Sequence, residues 1–291
     1  MKECNVCPRK CLVDRESKQR GFCGEGAGIT VSRVGLHMWE EPSISGSRGS
    51  GTIFFRGCNL RCVFCQNKTI SRGGGSFREL SETELAEEML TLQQMGAHNI
   101  NLVTPTHFAP RIAHTLELVK DELTIPVVYN SSGYESIDTL KRLEGLVDIY
   151  MPDFKYSSPN LSTDYSNAPD YPEVAEAAVI EMFRQVGEYV IDSEGIMRRG
   201  LIVRHLVLPA CRKDSFEVLD KLVEILPKTA FKLSLMSQYT PDFAADCEFK
   251  NLRRRLTTFE YDSVLEYAVS LGFDGYFQDR ASATAEYTPE F

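Results

Sequence analysis

The chain has 291 residues, 43% of them hydrophobic and 25% charged, which excludes a disordered or collagen-like protein. Its net charge of −9 makes it a poor general binder of nucleic acids and other polyanions. No apolar run reaches the roughly 18 residues of a membrane span, and the polar N-terminus is unlike a signal peptide, so we expect a cytoplasmic protein with no membrane partner.

The N-terminal quarter differs from the rest of the chain in charge and in cysteine content. Residues 1–72 contain 12 Lys and Arg against 6 Asp and Glu, a net charge of +6, which leaves −15 for the remainder. Seven of the nine cysteines lie within the first 65 residues. Because a reducing compartment seldom holds structural disulfides, this clustering predicts metal binding or redox chemistry.

The sequence pattern divides the chain into two regions. Residues 1–50 predict a small cysteine-rich module and linker, with a strand at 29–36 and a Gly/Ser/Pro-rich loop at 40–51. In residues 51–291, apolar strands alternate with amphipathic helices. The predicted strands are 52–56, 99–103, 125–129, 147–151, 200–208, 230–235 and 274–277. The predicted helices are 81–95, 110–120, 136–143, 174–188, 215–226 and 259–270, with a long loop at 157–172.

The alternation predicts an α/β fold whose parallel sheet is buried on both faces. Ser81 followed by Glu84 forms a capping-box pattern and predicts the start of the first helix. Six or seven strand–helix units fit an open, partial (β/α)6-type TIM barrel better than a complete eight-unit barrel. A doubly wound sheet is the alternative, but no GxGxxG follows its first strand.

The most specific motif is GCNLRCVFCQN at residues 57–67, directly after the first barrel strand. Cys58, Cys62 and Cys65 have CxxxCxxC spacing, and three thiolates on one loop can ligate three irons of a cubane cluster. Since such a cluster has four irons, one iron would keep an open site. A zinc loop with a distant fourth ligand, Cys211 or His107, is the alternative.

These residues resemble the motif of the radical S-adenosylmethionine (radical SAM) superfamily. GCNLRCVFCQN is most similar to the pyruvate formate-lyase activating enzymes and their relatives. The resemblance implies a [4Fe–4S] cluster whose open iron binds S-adenosylmethionine. It further implies reductive cleavage of that cofactor to a 5′-deoxyadenosyl radical, which abstracts hydrogen from a substrate.

The same resemblance implies a set of cofactor-binding residues. Phe64 and the backbone after Cys65, at Gln66 and Asn67, would lie near the adenine. The family usually has a Gly-Gly-Glu-like segment after the second strand to hold the methionine amino group, whereas this chain has Thr104-Pro105-Thr106-His107. The hydroxyls of Thr104 and Thr106 are the candidate replacements, and His107 is a candidate catalytic residue.

Polar residues at strand ends are further candidates, since the mouth of a barrel is where its active site lies. Asp153 and Lys155 have i, i+2 spacing, face one side of an extended chain and match an Asp-x-Lys that the family often has. They are the other candidate catalytic residues, and a loop ion pair is the alternative. Asn130, Arg204 and His205 are candidates for cofactor binding, although strand alternation allows only one of the adjacent pair 204–205 to face inward.

A second cysteine group lies at the N-terminus. Cys4, Cys7, Cys11 and Cys23 complete a four-ligand set, which suits either structural zinc or a second iron–sulfur cluster. Similar cysteines occur in relatives of the activating enzymes, the PflX-like subgroup, and the segment resembles that subgroup. The basic charge of residues 1–72 predicts docking of an acidic reductant such as flavodoxin or ferredoxin.

We therefore predict a radical SAM oxidoreductase. Its substrate is a glycyl radical enzyme, in the manner of an activase like the pyruvate formate-lyase activating enzyme, or else a small molecule or RNA. The acidic charge of residues 73–291 speaks against RNA. A zinc-stabilised protein without catalytic activity is the alternative from a different class.

Overall fold

Seven parallel strands form the main sheet of the computed structural model, which describes residues 2–278. The strands are β1 (Ile29–His37), β2 (Ser50–Phe55), β3 (Arg78–Leu80), β4 (Ile100–Val103), β5 (Val127–Ser131), β6 (Ile149–Pro152), β7 (Val190–Ile191), β8 (Met197–Leu206), β9 (Lys232–Met236) and β10 (Gly275–Phe277). The parallel order is β2-β4-β5-β6-β8-β9-β10, and the sheet does not close on itself. The predicted open barrel is confirmed.

Helices follow the strands and cover the outer face of the sheet. They are α1 (Pro42–Ser45), α2 (Lys68–Ser71), α3 (Glu82–Gln94), α4 (Ala109–Leu118), α5 (Ile137–Lys141), α6 (Pro159–Ser166), α7 (Tyr171–Val186), α8 (Arg212–Ile225) and α9 (Thr258–Leu271). Short 3-10 turns lie at Thr106–Phe108, Pro241–Ala244 and Lys250–Arg253. The Ser81–Glu84 capping box is confirmed, because Ser81 accepts from the backbone N–H of Glu84 and the Glu84 carboxylate accepts from that of Ser81.

Two predicted loops were wrong in part. The loop at 157–172 contains α6, whose start is set by Ser158 as N-cap and Pro159 in the first turn. The loop at 40–51 contains the single turn of α1, which also begins with a proline. Both helices are too short for a clear apolar period, so only their capping residues could have predicted them.

The N-terminal region shares the sheet of the barrel. β1 pairs antiparallel with β2, and β3 pairs antiparallel with β1, so both strands extend the β2 edge. Residues 279–291 of the predicted barrel region lie outside the described residues. Within residues 2–278, no helix combines the length and the apolar composition that crossing a membrane requires.

Candidate active site

The three-cysteine loop leaves the carboxyl end of β2 through a glycine that tolerates no side chain. Gly57 has a φ of +82°, and a Cβ there would stand 2.8 Å from the carbonyl oxygen of Cys23 and 2.6 Å from the side chain of Glu25. The loop therefore lies directly against the N-terminal cysteine segment.

The three thiols lie on one wall, where Cys58 and Cys62 are buried and Cys65 is half-buried. The Cys58 Sγ accepts from the backbone N–H of Leu60 at 3.3 Å, and the Cys62 Sγ accepts from the Ser166 hydroxyl at 3.1 Å. Burial raises the pKa of Cys58, and burial raises that of Cys65 to about 12, with the neighbouring Cys62 adding to both shifts. Three soft thiol donors on one wall fit an iron–sulfur cluster, because metal binding deprotonates its ligands.

These cysteines face an open cavity of about 230 Å³ at the carboxyl ends of the parallel strands. Eleven residues predicted from the sequence line it: Cys58, Cys62, Phe64, Cys65, Gln66, Asn67, Thr104, Asn130, Asp153, Lys155 and Arg204. The structure thus gathers four separate strand ends, those of β4, β5, β6 and β8, and the cysteine loop around one space. Barrel enzymes build their active sites at this edge.

Charged side chains that are joined by hydrogen bonds line the cavity opposite the thiols. The Asp153 carboxylate accepts from Lys155 Nζ at 2.5 Å and from Arg204 Nε at 3.0 Å. Arg204 Nη2 also donates to Asn130 Oδ1 at 2.7 Å. Burial by itself would raise the pKa of Asp153, but the two cations hold it below its usual value. Asp153 therefore stays ionised and holds both cations in place.

Aromatic packing orients the last turn of the cysteine loop. Phe64 meets Tyr165 and Tyr239 edge to face, with ring centroids 6.4 and 6.2 Å apart. The next residue but one, Gln66, donates from Nε2 to the backbone oxygen of Gln238 at 3.2 Å. These contacts fix Phe64 and Gln66 against the loop after β9.

Thr104 lies in the left-handed region with a φ of +59°, directly after β4. Its N–H donates to the backbone oxygen of Asn130 at 2.9 Å, which ties the ends of β4 and β5 together. Left-handed backbone at a residue other than glycine is strained and is often found at functional sites.

Three candidates do not line the cavity. Thr106 donates to the Glu135 carboxylate at 2.5 Å, and His107 Nε2 lies 2.6 Å from the Arg56 carbonyl oxygen behind the sheet. His205 lies between the Phe154 carbonyl oxygen at 2.7 Å and the Ser215 hydroxyl at 2.9 Å. Burial lowers the pKa of His107 to about 3 and that of His205 to about 4, so both are neutral at physiological pH. Thr106, His107 and His205 therefore support the walls of the site and do not reach its interior.

Sequence reasoning missed one wall of the cavity. His37, Trp39 and Glu40 line it, although they come from the end of β1 and the segment after it, which precede the cysteine motif. The sequence signal was the Glu40-Glu41-Pro42 run, which allows packing over the barrel mouth, although a solvated turn is the simpler interpretation. The Glu40 side chain is instead only 10% exposed.

The four N-terminal cysteines lie in the irregular segment that precedes β1. Cys4, Cys7 and Cys23 are buried, and burial raises the pKa of Cys7 to about 12, with Cys23 and Cys4 among the further causes. Cys11 Sγ accepts from the backbone N–H of Phe22 at 3.3 Å. Among residues 2–278, no three His, Cys, Asp or Glu side chains converge on a single metal ion.

Residues 52–197 match the sequence profile of the Radical SAM superfamily. An uncharacterized protein of Methanocaldococcus jannaschii, MJ0674, is 30% identical over 285 residues, which cover 94% of this chain and 76% of that protein.

Solved structures share the fold at low sequence identity. A radical SAM methyltransferase from Sphaerobacter thermophilus has a TM-score of 0.53 and 15% identity, over 79% of this chain and 66% of that one. SuiB of Streptococcus suis bound to S-adenosylmethionine has a TM-score of 0.51 and 12% identity, over 80% of this chain and 51% of that one. The chain thus spans about two thirds and half of their lengths, and the likeness concerns the fold.

Proposed function

This chain belongs to the radical SAM superfamily, and from that premise we propose that it is an iron–sulfur enzyme that performs radical chemistry in the cavity of its barrel. Enzymes of this superfamily use a [4Fe–4S] cluster and S-adenosylmethionine. When bound, the two supply an electron and a 5′-deoxyadenosyl radical that abstracts hydrogen from the substrate.

In this proposal, Cys58, Cys62 and Cys65 hold three irons of the cluster. Phe64, Gln66 and Asn67 form the adenine side of the cavity, as the resemblance implies. Thr104 and Asn130 bind the methionine part of S-adenosylmethionine with polar atoms at the ends of β4 and β5. Asp153 keeps Lys155 and Arg204 extended toward the cavity, where the two cations can bind carboxylate groups.

One observation carries the proposal. The three cysteine thiols and the charged group around Asp153 face each other across a single cavity. Such a cavity can place a cluster on one side and charged ligand groups on the other. The test is anaerobic reconstitution with iron, sulfide, S-adenosylmethionine and dithionite, followed by assay of 5′-deoxyadenosine. Production of 5′-deoxyadenosine is expected, and its absence from protein that carries a full cluster would contradict the proposal.

We further propose that the module of residues 1–50 carries a second metal centre beside the barrel domain of residues 51–291. Cys4, Cys7, Cys11 and Cys23 would bind an iron–sulfur cluster or zinc. The close approach of Cys23 to Gly57 favours iron–sulfur, because it places that centre next to the three-cysteine loop, on a path for electrons. A flavodoxin or ferredoxin would supply the electrons. The many unpaired thiols suit a cytoplasmic location.

The finer proposal is an activase for a glycyl radical enzyme, similar to the PflX-like relatives of the pyruvate formate-lyase activating enzyme. It rests on the N-terminal cysteines and on the motif at residues 57–67. The test is electron paramagnetic resonance of a candidate glycyl radical enzyme after incubation with the reconstituted protein, S-adenosylmethionine and reductant. A glycyl doublet supports the activase role. Substrate-independent 5′-deoxyadenosine without any doublet favours a small-molecule substrate.

A further inference from the structure

The segment of residues 38–46, here named the plug, runs through the interior of the open barrel. Its Ile44 is fully buried among Val128, Ile149, Met151 and Ile202, which point inward from β5, β6 and β8. The Asn99 side chain donates to the Ile44 carbonyl oxygen at 2.7 Å. The plug therefore fills the space between the inward-facing side chains of β5, β6 and β8.

The plug presents two residues to the cavity, Trp39 and Glu40. The backbone N–H of Glu40 donates to the Ser45 hydroxyl at 2.9 Å, which fixes the backbone of Glu40 at the cavity wall before any ligand binds. Trp39 is 63% exposed at the cavity wall and is the single tryptophan of the chain.

Negative charge is in excess at this end of the cavity. Lys155 and Arg204 Nε both bind Asp153, and Arg204 Nη2 binds Asn130. What remains for Glu40 is Arg204 Nη1, at 3.7 Å from Oε2, which is too far for a hydrogen bond. Glu41 adds a second carboxylate just behind, 8% exposed and with no hydrogen bond to its Oε2. The charges of Glu40 and Glu41 are therefore offset only by the part of the Arg204 guanidinium that Asp153 and Asn130 leave free.

A buried amide lies beside this carboxylate. Asn101 is fully buried near Glu40, and neither polar atom of its side chain has a partner at hydrogen-bond distance. Burial raises the pKa of Glu40 to about 7 and the neighbouring Glu41 adds to this rise, which Arg204 and Asn101 offset only in part. Buried amides are rarely left without partners, and Asn101 lies behind the residues that line the cavity, so the arrangement points to a water held between Asn101 and Glu40.

We propose that Trp39 and Glu40 recognise a positively charged ammonium group on the substrate, an inference that rests on the proposed radical SAM function. An aromatic face next to a carboxylate is the combination that binds ammonium ions, through a cation–π contact and a charge-assisted hydrogen bond. The substrate class is then an amine. The amino group of S-adenosylmethionine is the other source of the same chemistry, and the test separates the two.

The single tryptophan gives a direct readout. Full-length protein is reconstituted anaerobically and saturated with S-adenosylmethionine, then titrated with n-butylammonium while Trp39 fluorescence is followed. Pentan-1-ol and pentanoate are the neutral and anionic controls of similar size. Saturable change with butylammonium but not with the two controls is expected. An equal response to all three would overturn the proposal without bearing on the radical chemistry.

A variant pair tests the role of the carboxylate. Glu40→Gln is nearly isosteric, and we expect it to weaken butylammonium binding roughly tenfold, as the loss of a charge-assisted hydrogen bond does. Glu87→Gln, on the exposed face of α3, is the matched control and should bind as the wild type does. Unchanged affinity in Glu40→Gln would refute the assignment.

Repeating the titration without S-adenosylmethionine identifies the source of the ammonium group. If the cofactor abolishes the butylammonium response competitively, the site belongs to the cofactor and the substrate assignment is wrong. If the response persists at saturating cofactor, the site belongs to the substrate. Neither outcome depends on 5′-deoxyadenosine formation, so failure here is distinct from failure of the proposed function.

Discussion

The Arg9 Nε–H donates to the backbone oxygen of Asn59 at 2.8 Å, and this bond fastens the N-terminal cysteine segment to the three-cysteine loop. The same guanidinium donates to the carbonyl oxygens of Ser166, at 3.0 Å, and Asn167. One side chain therefore joins the N-terminal module, the loop after β2 and the end of α6. The two cysteine groups are held as one unit.

Replacing Arg9 should loosen this unit. Arg9→Lys keeps the charge, but a single ammonium cannot reach three carbonyl groups in the fork geometry of a guanidinium. We expect the opening free energy of residues 2–28 to fall by roughly 2 kcal/mol, measured as faster hydrogen–deuterium exchange. Arg20→Lys is the control, since Arg20 is exposed and donates to the Gly24 carbonyl oxygen within its own module. Equal exchange in both variants would show that Arg9 does not hold the module.

The assignment of the cluster to the three-cysteine loop predicts that replacing a cysteine there abolishes activity, whereas replacing a cysteine elsewhere does not. Cys62→Ala should abolish reductive cleavage of S-adenosylmethionine, because the cluster would lose one of three ligands. Cys247→Ala is the matched control, since Cys247 lies outside the cavity lining. The measurement is 5′-deoxyadenosine with dithionite as reductant. A Cys62→Ala variant that cleaves the cofactor at the wild-type rate would remove the basis of the assignment.

The N-terminal cysteines predict a second, separable metal. Changing Cys4, Cys7, Cys11 and Cys23 to Ala should remove about four irons or one zinc per chain, by elemental analysis of the purified protein. The iron held by the barrel should remain. If neither metal changes, the four cysteines bind none, and disulfides or free thiols take their place as the explanation.

The basic residues of the N-terminal module predict where the electron donor docks. Lys10, Lys18 and Arg20 are exposed, and reversing all three to Glu should slow reduction by flavodoxin roughly tenfold at low salt while dithionite-driven turnover persists. The flavodoxin rate of the wild type should also fall with ionic strength. Equal losses with both reductants would mean a structural role for these residues, and an unchanged flavodoxin rate would place docking elsewhere.

Glu135 predicts a pH-dependent stability. It is 2% exposed, accepts from Thr106 at 2.5 Å and from Tyr129 at 3.4 Å, and burial raises its pKa to about 7. The folded state therefore favours the protonated acid, and the free energy of unfolding should fall as pH rises from about 4.5 to 7. A shift of this size corresponds to roughly 3 kcal/mol.

Thermal unfolding at pH 5 and pH 8 measures this effect. Glu135→Gln should match the wild type at pH 5 and unfold at a higher temperature at pH 8, because it carries no charge to bury. Glu117→Gln, on the exposed side of α4, should follow the wild type at both values. A Glu135→Gln variant that is less stable than the wild type at pH 8 would mean that the ionised carboxylate is stabilising.

The order of strands and helices could be predicted because it depends on local periodicity and capping. The alternation of apolar strands with amphipathic helices is visible in windows of about ten residues, and Ser81 with Glu84 marks a helix start within four. The three-cysteine loop was equally accessible, because its chemistry depends on spacing within eight residues of the chain. α6 escaped prediction because eight residues are too few for a clear period.

The composition of the cavity was decided by contacts between distant segments. Thr104 and His107 are three residues apart, yet a left-handed residue and a 3-10 turn send Thr104 into the cavity and His107 behind the sheet, against Arg56. Arg204 faces inward and His205 outward because side chains alternate along a strand, but only the packing of α8 shows which is which. Trp39 and Glu40 reach the cavity because β1 pairs with β2 and the plug turns back into the barrel. Burial of Ile44 drives that path, and it depends on side chains more than eighty residues away, which no local pattern contains.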